Sequence, residues 1–497
     1  MPCVAFFHMI CLIDANLPMK KDSTQQPKTF NSIVWSSIER FSVQGIQFVL
    51  SFVIARKLLP SDYGLIAMLG IFMAIAQTFI DSGFSNALIQ KQDRTDTDYS
   101  TVFYFNIVVA FLLYGIMVGC APYIASFYQE PLLKSIILWV GLNFVINSFA
   151  TVQRAKLTIE LNFKIQAYIS LTAVILSGSA AVYMAYNGFG VWTLVYQGLL
   201  SNLINTLLLW IFAHWKPLLI FSQSSFKELF SFGSKLLGGA ILHTLYSNIY
   251  TLIIGKIFSS TDLGFYNRAF TLTQYPSTNI TGIVVRVTYP IECQLQHDDE
   301  KLRDKYFSFI RYIAFIVFPL MIGLAAISDP LIKIVLTEKW MGAVPYIQIM
   351  CFAYMWDPIM RMTWDLLNVK HRSDFSLKSE IIKKITAFSI LFITIPFGIK
   401  VMCVGLIGYS IADLIIISQF VKKILPQVNF MSIVRQLIPC FTLAFIMGVF
   451  TYLYISLISN SWLQLIGGIC LGGMIYLVGA YFVKLRELTS LLKKIKK

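Results

Sequence analysis

The sequence predicts an all-α polytopic membrane protein of about fourteen transmembrane helices, arranged as two six-helix lobes plus two C-terminal helices. Three observations lead there. The chain is 57% hydrophobic and only 13% charged, about half the roughly 25% charge of an ordinary soluble domain. Long apolar segments recur from residue 30 to the end, separated by short polar joints. The basic residues alternate from joint to joint, as they do when successive joints lie on opposite sides of a membrane.

The composition excludes whole classes. A mean hydropathy of +0.69 does not suit a soluble enzyme, a disordered tail or a disulfide-stapled secreted domain. The eight cysteines (3, 11, 120, 293, 351, 403, 440 and 470) contain no C-x-x-C pair, and the five histidines form no ligand cluster with them. They read as small apolar fillers in membrane helices. No metal and no cofactor is expected.

Residues 1–18, MPCVAFFHMICLIDANLP, lack the basic n-region and cleavage site of a signal peptide. Met19-Lys20-Lys21 resembles a cytoplasmic start, so translation is expected to begin at Met19. The fourteen segments then run 30–56, 63–89, 100–121, 132–152, 166–187, 189–213, 229–257, 262–290, 306–328, 342–368, 380–399, 401–421, 433–457 and 462–483. Each is close to the roughly 20 residues a spanning helix needs. Pro276 and Pro358 are expected to break spans 8 and 10, which membrane helices tolerate when neighbours re-satisfy the backbone. The resulting organisation is a cytoplasmic N-terminal segment (1–29), an N-lobe of spans 1–6 (30–213) and a C-lobe of spans 7–12 (214–425). Spans 13–14 (426–485) and a basic cytoplasmic tail (486–497) follow.

Side assignment follows from charge. Of the 40 Lys and Arg residues, 29 fall on the joints of one side and seven (Arg56, Lys57, Lys134, Lys256, Lys333, Lys339, Lys400) on the other. Basic residues mark the cytoplasmic side, so both termini are expected in the cytoplasm. The net charge of +15 is thus a topology signal, and no nucleic-acid partner is implied.

The chain also repeats. IARKLLPSDYG (54–64) and IGKIFSSTDLG (254–264) align at an offset of 200, pairing Ile54 with Ile254, Arg56 with Lys256, Asp62 with Asp262 and Gly64 with Gly264. Each block closes the first helix of a six-helix set and supplies a capping residue to the second. Six crossings return the chain to the same side, so the lobes are expected to be parallel repeats about an axis along the membrane normal.

Charges in mid-span are expensive and mark interior surfaces or ion pairs. Arg40, Gln44, Gln47 and Ser51 share one face of span 1, with Glu39 beside Arg40 as a possible ion-pair partner. Arg268 and Arg286 lie five turns apart in span 8, with Tyr275 and Asn279 between them and no acid on that face. Asp357, Arg361 and Asp365 form an i, i+4, i+8 ladder in span 10, Asp81 closes span 2, and Asp413 stands by itself in span 12. Arg40, Gln44, Arg268, Asn279, Arg286 and Arg361 are the candidates for a polar substrate path, because a guanidinium grips phosphate oxygens in a fork. Glu39, Asp81, Asp357, Asp365 and Asp413 are the candidates for coupling or structural ion pairing. The sequence has no P-loop, H-E-x-x-H or G-x-S-x-G, so no catalytic residue is assigned. The end KLRELTSLLKKIKK reads either as a basic amphipathic segment on the anionic cytoplasmic leaflet or as an ordinary positive-inside tail.

The stretch LLPSDYGLIAMLGIFMAIAQTFIDSGFSNALIQKQDRT (58–95) resembles the N-terminal signature of Wzx-type polysaccharide repeat-unit flippases, exporters of O-antigen, colanic acid and capsule. These belong to the multidrug/oligosaccharidyl-lipid/polysaccharide superfamily. RAKLTIELNFK (154–164), NIYTLIIGKIFSSTDLGFYNRAFTLTQYP (248–276) and LNVKHRSDFSLKSEIIKK (367–384) extend the similarity through most of residues 30–425. The resemblance implies a MATE-like fold and movement of undecaprenyl-diphosphate-linked oligosaccharide from the cytoplasmic to the periplasmic leaflet of the bacterial inner membrane. It further implies alternating access, H+ or Na+ as coupling ion, and polysaccharide polymerase or export proteins as partners. Two other readings stay open: a multidrug or small-molecule antiporter, in which Glu39, Asp81, Asp357 and Asp413 outweigh the arginines, and a membrane-embedded polysaccharide polymerase or ligase.

Overall fold

The computed structural model describes residues 26–81, 88–89, 91 and 93–489. The expected start at Met19 and the residues of the tail from 490 onward lie outside that set. Among the described residues all regular structure is helical. In chain order the helices are α1 (Gln26–Ala55), α2 (Pro60–Asp81), α3 (Asp96–Tyr128), α4 (Leu132–Ile159), α5 (Phe163–Tyr186), α6 (Trp192–Phe212), α7 (Gln223–Ile257) and α8 (Ser260–Gln294). They continue with α9 (Asp299–Ala326), α10 (Ser328–Val335), α11 (Val344–Tyr354), α12 (Asp357–Val369), α13 (Ser373–Thr394), α14 (Ile399–Lys422), α15 (Phe430–Leu457) and α16 (Ser461–Phe482).

Polar residues in the joints set the starts. Thr95 and Asp98 form a reciprocal capping box on α3, with Thr95 N donating to Asp98 Oδ2 at 2.8 Å and Asp98 N to Thr95 Oγ1 at 3.3 Å. Asn429 and Ser432 do the same for α15. Ser222, Asp298 and Asn460 accept from the first turns of α7, α9 and α16.

Ten of the described helices are long and apolar enough to cross a membrane. Outside this set are α7, α8, the short α10, α13 and the pair α11–α12. The physical reasons are visible in the sequence: the break in span 10 leaves α11 and α12 only 11 and 13 residues long, and α8 and α13 carry Arg268, Arg286 and Lys383, which dilute their apolar character. Two proline expectations resolve differently. Pro276 lies inside the continuous helix α8, so it does not break span 8. Hydroxyls there bond back to the helix backbone, Thr273 to Ala269 O and Thr281 to Ser277 O, each at 2.8 Å. Span 10 is interrupted at Met355–Trp356, just ahead of Pro358, dividing α11 from α12.

The described residues form two compact units, one within Pro18–Asn267 and the other within Arg268–Lys497. In the first, α1 packs on α5, α3 and α4 form an antiparallel hairpin, and α6 lies against α4 and α5. Polar bonds fix the α4–α6 register: Asn202 Nδ2 donates to Asn143 Oδ1 at 2.6 Å and Trp210 Nε1 to Phe149 O at 2.9 Å. Phe103 is buried among Phe149, Trp210 and Trp215. Helix α7 packs on α2 and α3.

The offset of 200 reappears in this unit. Helices α2 and α8 begin at Pro60 and Ser260, and Asp62 and Asp262 bond within their first turns, to Leu59 N at 2.8 Å and Ser259 Oγ at 2.7 Å. The two first turns cross at backbone contact. A Cβ on Gly64 would lie 1.7 Å from Ser260 O, and one on Gly264 would lie 1.9 Å from Pro60 O. The two glycines, equivalent in the repeat, each receive the other turn's carbonyl.

In the second unit α9 packs against α15, α15 against α16, and α14 against α11, α12 and α13. Tyr476 of α16 donates to Phe315 O of α9 at 2.9 Å, and Ser410 of α14 to Ala353 O of α11 at 3.0 Å.

Candidate functional site

The intramembrane polar residues follow the helices that carry them. In the first unit, Glu39 of α1 accepts a 2.8 Å hydrogen bond from Ser170 Oγ of α5. Ser170 therefore takes the place expected for Arg40 as Glu39's partner, and Arg40 is exposed. Gln44, one turn on, is half-buried. Asp81 is the last residue of α2, and its side chain lies outside the described residues.

In the second unit the aligned arginines of α8 part company. Arg268 is 6% exposed, its guanidinium 5.1 Å from the ring centre of the buried Trp340. Arg286 is exposed and Asn279 half-buried, donating to Tyr275 O at 2.9 Å. Two residues of one helical face thus have opposite environments. The segment 338–343, which holds Trp340, covers Arg268.

Helix α12 presents the acidic ladder. Ser277 Oγ of α8 bridges Tyr354 O at 3.0 Å and Asp357 Oδ2 at 3.3 Å, tying the α11–α12 break to α8. Arg361 Nε stands 3.4 Å from Asp365 Oδ1 and stacks over Trp364, 4.6 Å from its ring centre. Arg361 remains half exposed while Asp365 is buried, so the guanidinium keeps donors available beyond its own ion pair.

Asp413 does not stand by itself. Lys383 Nζ of α13 lies 3.2 Å from Asp413 Oδ1 of α14 and 2.8 Å from Glu380 Oε1, and Lys383 and Asp413 are both buried. Sequence reading assigns Lys383 to the cytoplasmic count and so misses this pair, whose members are thirty residues apart on different helices. It also misses Glu292 near the end of α8. That carboxyl is 0% exposed, and neither oxygen has a hydrogen-bond partner among the described residues. A charge so placed needs a proton or a cation as companion. The one available signal was a lone acid in the last turns of α8.

Residues 53–345 match the family described as polysaccharide biosynthesis protein. The chain belongs to that family. Two relatives are the teichuronic acid biosynthesis protein TuaB of Bacillus subtilis (strain 168), 27% identical over 69% of this chain and 71% of its own, and the lipopolysaccharide biosynthesis protein WzxC of Escherichia coli (strain K12), 27% identical over 72% and 73%. Among solved structures, the lipid II flippase MurJ superposes with a TM-score of 0.69 at 12% identity, covering 91% of this chain and 99% of that one. An inward-facing MATE multidrug transporter follows at 0.59 and 15%, covering 81% and 99%. This polysaccharide biosynthesis protein therefore has the fold of the multidrug/oligosaccharidyl-lipid/polysaccharide superfamily and is a multi-pass membrane protein.

Proposed function

We propose that the protein carries undecaprenyl-diphosphate-linked oligosaccharide repeat units from the cytoplasmic to the periplasmic leaflet of the bacterial inner membrane, for surface polysaccharide synthesis. The observation that carries this reading is the family match across residues 53–345. The physics agrees: a diphosphate and its sugars cannot cross hydrocarbon unaided, and exposed Arg40, Arg286 and Arg361 provide cations that oxygen-rich anions need. The lipid tail stays in the bilayer. Two repeats that open alternately need states of comparable free energy. Protonation or Na+ binding at the buried Glu292 and Asp365 and the half-buried Asp357 biases them.

On this reading the protein is a transporter and not an enzyme, its fourteen spans form two six-helix lobes plus two C-terminal helices, and both termini are cytoplasmic. Polysaccharide polymerase and export proteins act on what it delivers. The test is reconstitution of the full chain into proteoliposomes holding fluorescent lipid-linked oligosaccharide, with outer-leaflet exposure read by lectin capture. Translocation above empty liposomes supports the reading. Export of cationic drugs with no movement of lipid-linked sugar overturns it in favour of the antiporter.

A further inference from the structure

A second cationic feature lies away from the substrate-path candidates. Beside the middle of α9, the N-terminal part of α15 and the segment that follows α16, a cavity of about 360 Å³ is lined by Arg311, Arg435, Gln436, Lys484, Arg486 and Glu487, among others. Its volume is at the small end of ligand pockets, roughly 300–1,000 Å³. The cavity has a built floor. Arg311 Nε donates to Glu487 Oε1 at 3.0 Å, and Arg311 Nη1 to Gln436 Oε1 at 2.6 Å. Glu487 is buried, so the one acid of the lining is neutralised by Arg311. Those contacts use two of the five guanidinium N–H donors. The remainder belong to a side chain fixed in place by α15 and by the segment that follows α16.

Three cations remain on the rim. Arg435, Lys484 and Arg486 are all exposed. Lys484 holds its place at φ +55 in the turn that ends α16, where its N–H reaches Tyr481 O at 3.1 Å and Leu485 N reaches Ala480 O at 3.0 Å. Immediately beside the rim the surface turns apolar: Phe482 is 76% and Val483 59% exposed. A cationic cup with an adjoining apolar wall matches an amphiphile with a phosphate head and acyl tails. A free anion has no use for that wall.

We infer that this cavity binds the phosphate headgroup of an anionic phospholipid of the adjacent leaflet, the cytoplasmic one on the topology proposed above. Arg435, Lys484 and Arg486 hold the phosphate against the Arg311 floor, and the acyl chains lie along Phe482 and Val483. The site is separate from the transported substrate, and its test involves no transport, so it stands or falls apart from the proposed activity.

The experiment is a lipid titration of the purified full chain in detergent, read by native mass spectrometry, with phosphatidylglycerol, phosphatidylcholine and undecaprenyl phosphate as probes. The variant is Arg435→Gln/Lys484→Gln/Arg486→Gln, which leaves the Arg311–Glu487 floor intact; Lys400→Gln, an exposed cation elsewhere, is the control. Preferential binding of phosphatidylglycerol over phosphatidylcholine is expected, weakened on the order of a hundredfold in the triple variant and unchanged in the control. An unshifted melting curve in lipid-free detergent shows that the variant is folded. Should it shift, Arg486→Gln by itself replaces it, with about a fivefold loss expected. Equal binding of the two phospholipids, or equal affinity in wild type and variant, overturns the site. Tighter binding of undecaprenyl phosphate that the triple variant abolishes also overturns it, by assigning the cup to the substrate.

Discussion

The crossing of α2 and α8 makes a quantitative prediction. Substituting Gly64→Ala puts a methyl carbon 1.7 Å from the carbonyl oxygen of Ser260. The closest comfortable approach of carbon to such an oxygen is about 3.3 Å, so the turns must separate by about 1.6 Å. Neither side has a rotamer to give: the clash is backbone against Cβ, and helix starts on both sides are held by Asp62 and Asp262. Overpacking costs about 1–3 kcal/mol where side chains can adjust, so a rigid contact belongs at about 3 kcal/mol. Gly70 of the same helix has nothing within 4 Å of its would-be Cβ, and Gly70→Ala measures the gain in helix propensity, about 1 kcal/mol. In a thermal melt of detergent-solubilised protein, Gly64→Ala should fall below Gly70→Ala by roughly 3 °C, at about 1 °C per kcal/mol for a chain of 497 residues. Gly264→Ala should match it, because its clash with Pro60 O is the reciprocal one. The double variant should lose less than the sum, since turns already separated leave room for the second methyl. If Gly64→Ala melts with Gly70→Ala, the crossing is not a tight contact and the reasoning fails.

Other outcomes follow from the same coordinates. Asp413→Leu strands buried Lys383 with Glu380 as its remaining partner and should destabilise by about 3 kcal/mol, while Lys383→Met/Asp413→Leu recovers most of it; melting curves of the two variants decide. Arg286→Gln should leave stability within about 0.5 kcal/mol yet lower translocation about tenfold, the worth of one charge-assisted contact. Arg268→Gln should do the opposite, losing about 2 kcal/mol of stability with its place over Trp340. Glu292→Gln keeps shape and removes the titratable group, so it should preserve the melting curve and flatten the pH dependence of transport; an unaltered pH profile removes Glu292 from coupling.

Much of the architecture was legible because it depends on local pattern. Apolar length gives the helices, and Asp62 and Asp262 at matching offsets give both the repeat and the two helix starts that the structure places at Pro60 and Ser260. What escaped is what depends on tertiary neighbours. Proline chemistry does not say which helix survives it: α8 runs through Pro276, whereas the chain breaks ahead of Pro358. Equal spacing on one face does not say what covers that face, and Trp340 lies over Arg268 while Arg286 is exposed. Nor does a charge name its partner. Glu39 turns to Ser170 rather than to its neighbour Arg40, and Asp413 to a lysine that a topology count had assigned to the aqueous side.

The glycine crossing also has a history in time. Gly64 and Ser260 are separated by 196 residues of chain, which a ribosome adding about 5–20 residues per second takes on the order of 10–40 s to make. Throughout that interval the first turn of α2 sits in or at the bilayer without the carbonyl that will later press on it. The first compact unit, which runs to Asn267, is therefore not closed when its first six helices have emerged. It waits for α7 and the opening turns of α8.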